Sequence, residues 1–285
     1  RKAALAGADF LMGSWVTSAV TLTEDDFQAG RNLKLVQLMS AGYEHIDLAH
    51  AERHGVPVAH FGDSMASTVA EHAMLLILAV YRRLVRLDSL VRSGAWRTGE
   101  PALYELRGKR VGIVGLGKIG LELAKRLAGF DADVVYFNRR RLDTAGEQRA
   151  SATYLPLDDL LASSDVVSLN VPLTRATRSL IASRELRLMK PEAVLINTSR
   201  GPVVDEPALL AALQDGRLRG AGLDVLEQEP PDAANPLLKL DNVVFTPHDS
   251  GVSAEVWPRV VATCFENLQR VARGEPPRHL ALPLD

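Results

Sequence analysis

The sequence has a single cysteine, Cys264, no long apolar run, no internal repeat and almost no net charge. One cysteine excludes an internal disulfide and leaves no cysteine cluster for zinc or an iron–sulfur centre, so no metal site is expected. Its setting, Val-Val-Ala-Thr-Cys-Phe-Glu-Asn, reads as a helix face carrying a buried, unreactive thiol. No stretch approaches the ~18 consecutive apolar residues of a membrane span. The nearest, 73–80, is short and runs into Arg82 and Arg83, so no membrane partner is expected. A formal charge of −2 supplies no basic field and argues against nucleic acid as a partner. No secretory signal is visible, which points to a cytoplasmic protein. The chain opens at Arg1 and runs straight into Ala-Asp-Phe-Leu-Met-Gly, which reads as a first strand whose preceding unit is missing.

What is present is ordinary globular material: 285 residues, 47% hydrophobic and 24% charged. That length exceeds what one core usually serves, so two domains are expected. Apolar runs bounded by Gly, Asp and Pro predict strands over 9–12, 35–38, 56–59, 110–114, 133–137, 165–170, 193–197, 221–225 and 243–245. They are rich in Val, Ile and Leu and do not alternate, as strands buried on both faces of a parallel sheet do not. Helices fall between them. Thr23 stands before Glu24, Asp25 and Asp26, and Asp205 opens a helix with Pro207 in its first turn. Strand–helix alternation of this kind predicts a doubly wound α/β fold. Residues 67–91 lack Pro and Gly and predict one long spine helix joining two domains, while 254–273 predict a second, stopped by Gly274.

One turn carries a chemical signal. The strand ending at Val114 passes through Gly115-Leu116-Gly117-Lys118-Ile119-Gly120 into a helix, and another strand follows at βαβ distance. Alone, such a glycine pattern is weak; in this setting it marks a dinucleotide site. Gly115 permits the tight turn, Gly117 lets backbone amides reach a pyrophosphate, and Gly120 lets helix pack on strand. The amides of Lys118 and Ile119 open the helix, whose N-terminus favours phosphate. The end of the next strand tests which nicotinamide cofactor is used. NAD sites place a carboxylate there for the ribose hydroxyls. This chain has Asn138-Arg139-Arg140-Arg141 instead. Without the carboxylate, Arg139 or Arg140 is able to pair with a 2′-phosphate, which favours NADP(H) over NAD(H). Two readings stay open beside it: a solvated run of charge, and Asp143 as a displaced acid.

Three further motifs fall at strand ends: Asn197-Thr198-Ser199-Arg200-Gly201-Pro202, Asp224-Val225-Leu226-Glu227-Gln228-Glu229-Pro230 and Thr246-Pro247-His248. With the glycine turn and Val69-Ala70-Glu71-His72, this order resembles the D-isomer-specific 2-hydroxyacid dehydrogenases, which include phosphoglycerate dehydrogenase and the glyoxylate/hydroxypyruvate reductases. The resemblance runs from Ser40-Ala41-Gly42-Tyr43-Glu44-His45-Ile46-Asp47 to Gly274-Glu275-Pro276-Pro277. It implies two doubly wound parallel-sheet α/β domains with a cleft between them. One, over 66–256, is a Rossmann cofactor domain; the other, over 1–65 and 257–285, is a flavodoxin-like substrate domain.

The resemblance also implies hydride transfer between a nicotinamide cofactor and a small 2-oxo or 2-hydroxy acid, in a C2 homodimer. Arg200, Glu229 and His248 are then the catalytic set. His248 is the general acid and base. Glu229 orients its imidazole, and Arg200 holds the substrate carboxylate and polarises the carbonyl. Glu227 competes with Glu229 for its role, and the Glu-Pro match favours Glu229. Thr198, Asp224 and Gly251 are placed on the cofactor side, Asp224 near the nicotinamide carboxamide. The backbone of Ser40, Ala41 and Gly42 cradles the substrate carboxylate. His45, His50, His54, His60 and His279 are read as structural or surface residues, and His72 as a packing or hydrogen-bonding one.

Two features depart from the family. After Thr-Pro-His, relatives carry a small apolar residue and then Gly or Ala, whereas this chain has Asp249-Ser250-Gly251. Asp249 is able to act on His248, to touch substrate or cofactor, or to face solvent. No regulatory domain follows Asp285, which argues against the phosphoglycerate dehydrogenases that carry one. Phosphite- or formate-type dehydrogenases on the same framework remain alternatives, as does a nicotinamide-sensing co-repressor.

Overall fold

The computed structural model describes residues 1–13, 22–43, 46–97, 99 and 102–283. Glu44 and His45 therefore lie outside the described residues. The chain divides into two compact units, Arg1–Met65 with Val252–Asp285, and Ala66–Gly251. It returns to the first unit at Val252, earlier than the expected 257.

The first unit runs α1 (Lys2–Leu5), β1 (Phe10–Gly13), α2 (Glu24–Ala29), β2 (Leu35–Leu38), α3 (Leu48–Arg53) and β3 (Val58–Ala59). The strands form a parallel sheet in the order β1-β2-β3. Central β2 is wholly buried, Gln37 included, as its apolar neighbours Leu35, Val36 and Leu38 predict. The start signal at Thr23 is real: the Asp26 carboxylate accepts the Thr23 backbone N–H at 2.9 Å and closes a capping box. His50 and His54 both reach the Glu24 carboxylate, at 2.7 and 2.6 Å, which ties α3 to α2.

The second unit runs α4 (Ala66–Tyr81), α5 (Leu84–Arg92), β4 (Arg110–Val114), α6 (Lys118–Ala128), β5 (Asp133–Phe137), α7 (Thr144–Ala150), β6 (Thr153–Tyr154), α8 (Leu157–Ser163), β7 (Val166–Leu169), α9 (Ser183–Leu188), β8 (Val194–Asn197), α10 (Glu206–Gln214), β9 (Gly220–Leu223) and β10 (Val243–Phe245). Its seven strands are all parallel, in the order β10-β9-β8-β7-β4-β5-β6. Helices α4 and α6 cover one face around Ile77, Ile113 and Leu123, and α8, α9 and α10 cover the other around Leu160, Leu169 and Leu195. Each such aliphatic side chain contributes about 1.5–3 kcal/mol on burial. This is a Rossmann sheet. Strand order reverses between β4 and β7, and ligands of open parallel sheets bind at the carboxyl ends beside such a point. The chain then closes the first unit with α11 (Val256–Ala272), whose end is followed by Gly274 in the left-handed region at φ +78°.

One expectation fails outright. The single helix over 67–91 is two helices, because Arg83 adopts φ 48° and ψ 39° between α4 and α5. Left-handed backbone costs a non-glycine residue roughly 1–2 kcal/mol, and no Gly or Pro announces the break. Helix α4 is buried on several sides, whereas α5 buries no side chain. Edge strand β6 was not foreseen either, since two residues are too few to carry a pattern. Among the described residues no helix is long and apolar enough to cross a membrane.

Candidate active site

The glycine turn joins β4 to α6, and the three glycines meet different surroundings. Gly115 lies at φ +99°, and a Cβ there would sit 2.6 Å from the Asn170 carbonyl oxygen, so only glycine fits. A Cβ on Gly120 would sit 2.5 Å from the Gly115 carbonyl oxygen, so this glycine sets how closely α6 packs on its own strand. Gly117 meets nothing within 4 Å and caps α6 without a side chain. The turn is thus tight where protein meets protein and open at the helix N-terminus, the shape that a pyrophosphate needs. Two buried polar atoms at strand ends have no partner among the described residues, Asn170 Oδ1 after β7 and Thr198 Oγ1 after β8. Unpartnered buried polar atoms are costly and mark places where a ligand completes the hydrogen bonding. Asn170 was not foreseen, since a strand-end Asn carries no signal by itself.

At the end of β5, Asn138 turns toward the glycine loop. Its Oδ1 accepts the Leu116 N–H at 2.6 Å. The three arginines that follow differ. Arg141 pairs with Glu147 at 2.8 Å and lies over the Tyr154 ring. Arg139 and Arg140 are exposed and hold no ion pair or hydrogen bond with the described residues. Asp143 caps α7, accepting the Gly146 N–H at 2.7 Å, so its carboxylate serves the helix.

The other motifs converge in the same unit. Glu229 Oε2 lies 2.6 Å from His248 Nδ1, and Glu229 Oε1 accepts the Leu226 N–H at 3.1 Å. Glu227 is exposed, and its backbone N–H donates to Glu206 Oε2 at 2.9 Å. Burial pushes the Glu229 carboxyl up, but the His248 bond and charge, the Leu226 amide and the Arg200 charge together hold it below the usual carboxylate range. Arg200 reaches back to the Ser199 carbonyl at 2.7 Å. Its turn is pinned by Asn197, whose Oδ1 accepts from the Ser199 N–H and hydroxyl and whose Nδ2 donates to the Arg200 carbonyl. Gly201 lies against the next loop so closely that a Cβ would overlap the Leu226 carbonyl. Asn197 and Gly201 stand inside the motif read from the sequence, but only the fold shows what they hold.

His248 sits at φ 60°, an uncommon conformation that costs about 1–3 kcal/mol unless its surroundings impose it. They do. The His248 N–H donates to the Asp224 carbonyl at 2.8 Å. The fully buried Asp224 carboxylate accepts the Thr246 hydroxyl at 2.5 Å and the amides of Asp249 and Ser250, each at 3.0 Å. His72 on α4 supports Thr246 with a 2.9 Å hydrogen bond, consistent with its reading as a hydrogen-bonding residue. Asp224, matched by resemblance to the nicotinamide carboxamide, thus carries three hydrogen bonds from the loop that holds His248. The Asp249 side chain is exposed and engages none of the described residues. Gly251 closes this unit just beyond.

In the first unit, β2 leads into Met39 and then Ser40, Ala41 and Gly42. The Ser40 hydroxyl donates to the Gly42 carbonyl at 2.9 Å. The backbone amides of residues 40–43 have no acceptor among the described residues. Consecutive unengaged N–H groups of this kind are anion receptors. Among the described residues no group of His, Cys, Asp and Glu is arranged to hold a metal ion.

Comparison with known proteins gives the same pattern a context. The family model for the NAD-binding domain of D-isomer specific 2-hydroxyacid dehydrogenases matches residues 74–250. Glyoxylate reductase of Thermofilum pendens is 43% identical over 253 residues, which cover 87% of this chain and 75% of that protein. Glyoxylate/hydroxypyruvate reductase B of Yersinia pestis is 39% identical over 276 residues, covering 95% and 83%. The crystal structure of a glyoxylate reductase from Paecilomyes thermophila aligns with a TM-score of 0.88 at 30% identity, covering 96% of this chain and 84% of that one.

Proposed function

The chain belongs to the D-isomer-specific 2-hydroxyacid dehydrogenase family, and on that premise we propose that it reduces a small 2-oxo acid of the glyoxylate or hydroxypyruvate kind, with NADP(H) preferred and His248 as general acid. That it is an oxidoreductase exchanging hydride between a nicotinamide cofactor and a 2-oxo or 2-hydroxy acid follows from the family itself.

The observation that carries the residue assignment is the 2.6 Å contact between Glu229 Oε2 and His248 Nδ1. A carboxylate at Nδ1 requires a proton there, which leaves Nε2 as the nitrogen that gives or takes the second one. In reduction His248 donates that proton to the carbonyl oxygen as negative charge gathers on it. In oxidation it removes the hydroxyl proton. Glu229, held ionised, fixes the ring and offsets the imidazolium charge. Arg200 receives the substrate carboxylate and polarises the carbonyl. The first unit's part is the run of open amides at Ser40, Ala41 and Gly42, which receive a carboxylate oxygen.

Gly115, Gly117, Lys118, Ile119 and Gly120 would hold the pyrophosphate, with Asn170, Thr198, Asp224 and Gly251 along the nicotinamide side. When bound, the cofactor supplies or accepts the hydride. Asn138 contributes no charge, and Arg139 and Arg140 are the guanidinium groups left for a 2′-phosphate. Replacing both by Ala should raise the KM for NADPH roughly 10–100-fold, the loss of about 1.5–3 kcal/mol of charge-assisted hydrogen bonding. The NADH values should stay within about twofold. Equal losses for both cofactors in steady-state assays would remove the NADP(H) preference.

A homodimer belongs to the same reading. Helix α5 leaves Leu84, Val85 and Val91 more than half exposed, with Trp96 close by in sequence at 75%. An apolar patch of that kind is usually covered in an assembly. Analytical ultracentrifugation should give twice the chain mass, and a monomer at micromolar concentration would contradict it.

The substrate reading is tested by a panel of 2-oxo acids assayed with both cofactors. Glyoxylate and hydroxypyruvate should be reduced with the highest kcat/KM. Turnover of formate or phosphite, with none of any oxo acid, would replace this substrate class by the alternative one.

A further inference from the structure

The first unit contains a buried polar cluster that the reaction does not use. Gln37 on β2 and Asn267 on α11 are both fully buried. Asn267 Nδ2 donates to Gln37 Oε1 at 2.8 Å and to the Arg278 carbonyl at 3.0 Å, while Asn267 Oδ1 accepts the Arg278 N–H at 2.8 Å. Gln37 Nε2 in turn donates to the Leu38 carbonyl at 3.0 Å. Two buried amides are an expensive way to fill a core, since apolar residues of similar size would pack there without polar groups to satisfy. The cost calls for a purpose.

The far end of the cluster shows one. The Val36 N–H donates to Pro57 on the β3 side of the sheet, and alternation along β2 turns the Leu38 carbonyl to that same side. Strand β3 ends at Ala59, and its pairing with β2 ends at Gln37. The Leu38 carbonyl therefore lies beyond the ladder, and the Gln37 amide takes the place of a strand partner. The next residues are Met39 and the open amides of 40–43. On the other side, the Met39 N–H is held by the Gly13 carbonyl at 2.8 Å. The loop is thus gripped from both sides at its root, by backbone toward β1 and by the Gln37 side chain toward β3.

We propose that Gln37 and Asn267 are positioning residues for substrate binding: they fix the Leu38 carbonyl, and through it the direction in which the amides of Ser40, Ala41 and Gly42 point. The proposal rests on the reading of that loop as the carboxylate receptor. Neither residue touches substrate. They act by removing freedom from a short segment whose amides must converge on one anion, and orientation of this kind shows in affinity for the acid.

The test compares three full-length variants. Gln37→Met removes its bonds to Asn267 and Leu38 at nearly constant volume. Gln37→Glu is the second variant: it keeps an acceptor for Asn267 but, when ionised, has no donor for Leu38. Val260→Ala is the control: it removes buried packing from the same helix α11 and has no side-chain hydrogen bond to give to Gln37 or to the Leu38 carbonyl. Both Gln37 variants should raise the KM for glyoxylate about tenfold, the loss of roughly one hydrogen bond's net worth. Their kcat and NADPH Kd should change less than threefold. Hydrogen–deuterium exchange at residues 39–43 should quicken by a similar factor. Val260→Ala should lower the Tm while leaving KM and loop exchange at wild-type values. Unchanged loop exchange in the Gln37 variants would overturn the proposal, and so would an equal response from Val260→Ala. If the wild type reduces no oxo acid while loop exchange still responds to Gln37, the substrate reading fails and the positioning stands.

Discussion

The His248→Ala variant is expected to lose about 10²–10⁴-fold in kcat, the range that a positioned general acid supplies, while binding NADPH with the wild-type Kd. Two features of the site separate those outcomes. The imidazole is engaged by Glu229 and not by the glycine turn, so its removal leaves the groups that meet the pyrophosphate in place. The backbone of residue 248 is held by the Asp224 carbonyl, and its neighbours by the Asp224 carboxylate, so the loop keeps its anchors without the ring. The variant also strips Glu229 of the contact that does most to keep it below the usual carboxylate range, leaving burial to push it back up. Single-turnover kinetics with a fluorescence titration of NADPH measures both quantities. Wild-type turnover would refute His248 as the acid, and a lost Kd would mean that the loop had collapsed.

The Gly201→Ala variant should be nearly as damaging, although it adds only one methyl group. A Cβ at 201 overlaps the backbone carbonyl of Leu226, and backbone cannot rotate aside as a side chain can. One of the two loops must move. The Leu226 N–H donates to Glu229, which orients His248, and Gly201 follows Arg200 directly, so either movement separates groups that must act together. A displacement near 1 Å costs roughly 10²-fold in kcat/KM. The overpacking itself should cost about 1–3 kcal/mol of stability, or several degrees of Tm in a unit of this size at about 2–4 °C per kcal/mol. Calorimetry and steady-state kinetics on one preparation test this. A variant with wild-type Tm and kcat/KM would show that the two loops are not in contact.

How much of this was legible in the sequence depends on how local the cause is. The strands of the second unit announced themselves because burial on both faces leaves few polar residues in them: Val166–Leu169 has only Ser168, and Val194–Asn197 only its last residue. The glycine turn was legible because Gly115 and Gly120 leave no room for a Cβ and Gly117 keeps the helix N-terminus open. Residues 138–141 could be read as a change of charge at a known place. Whatever depends on a distant partner was hidden. The break at Arg83 has no signal in its residue type. The use of Asp224 to hold 246–250 needs β9 and β10 side by side, and the contact between Gly201 and Leu226 joins two loops separated by a whole helix and strand. Buried atoms such as Asn170 Oδ1 and Thr198 Oγ1 show their lack of partners only once the fold surrounds them.

The central claim is direct hydride delivery to the carbonyl carbon of a 2-oxo acid, with the proton supplied by His248. The measurement closest to it is reduction of hydroxypyruvate by NADPH deuterated on the transferring face of C4, followed by mass and chiral analysis of the product. The account predicts D-glycerate with one deuterium at C2, formed by the wild type and not at a comparable rate by His248→Ala. Unlabelled glycerate, the L isomer, or no oxidation of NADPH or NADH with any 2-oxo acid would contradict it.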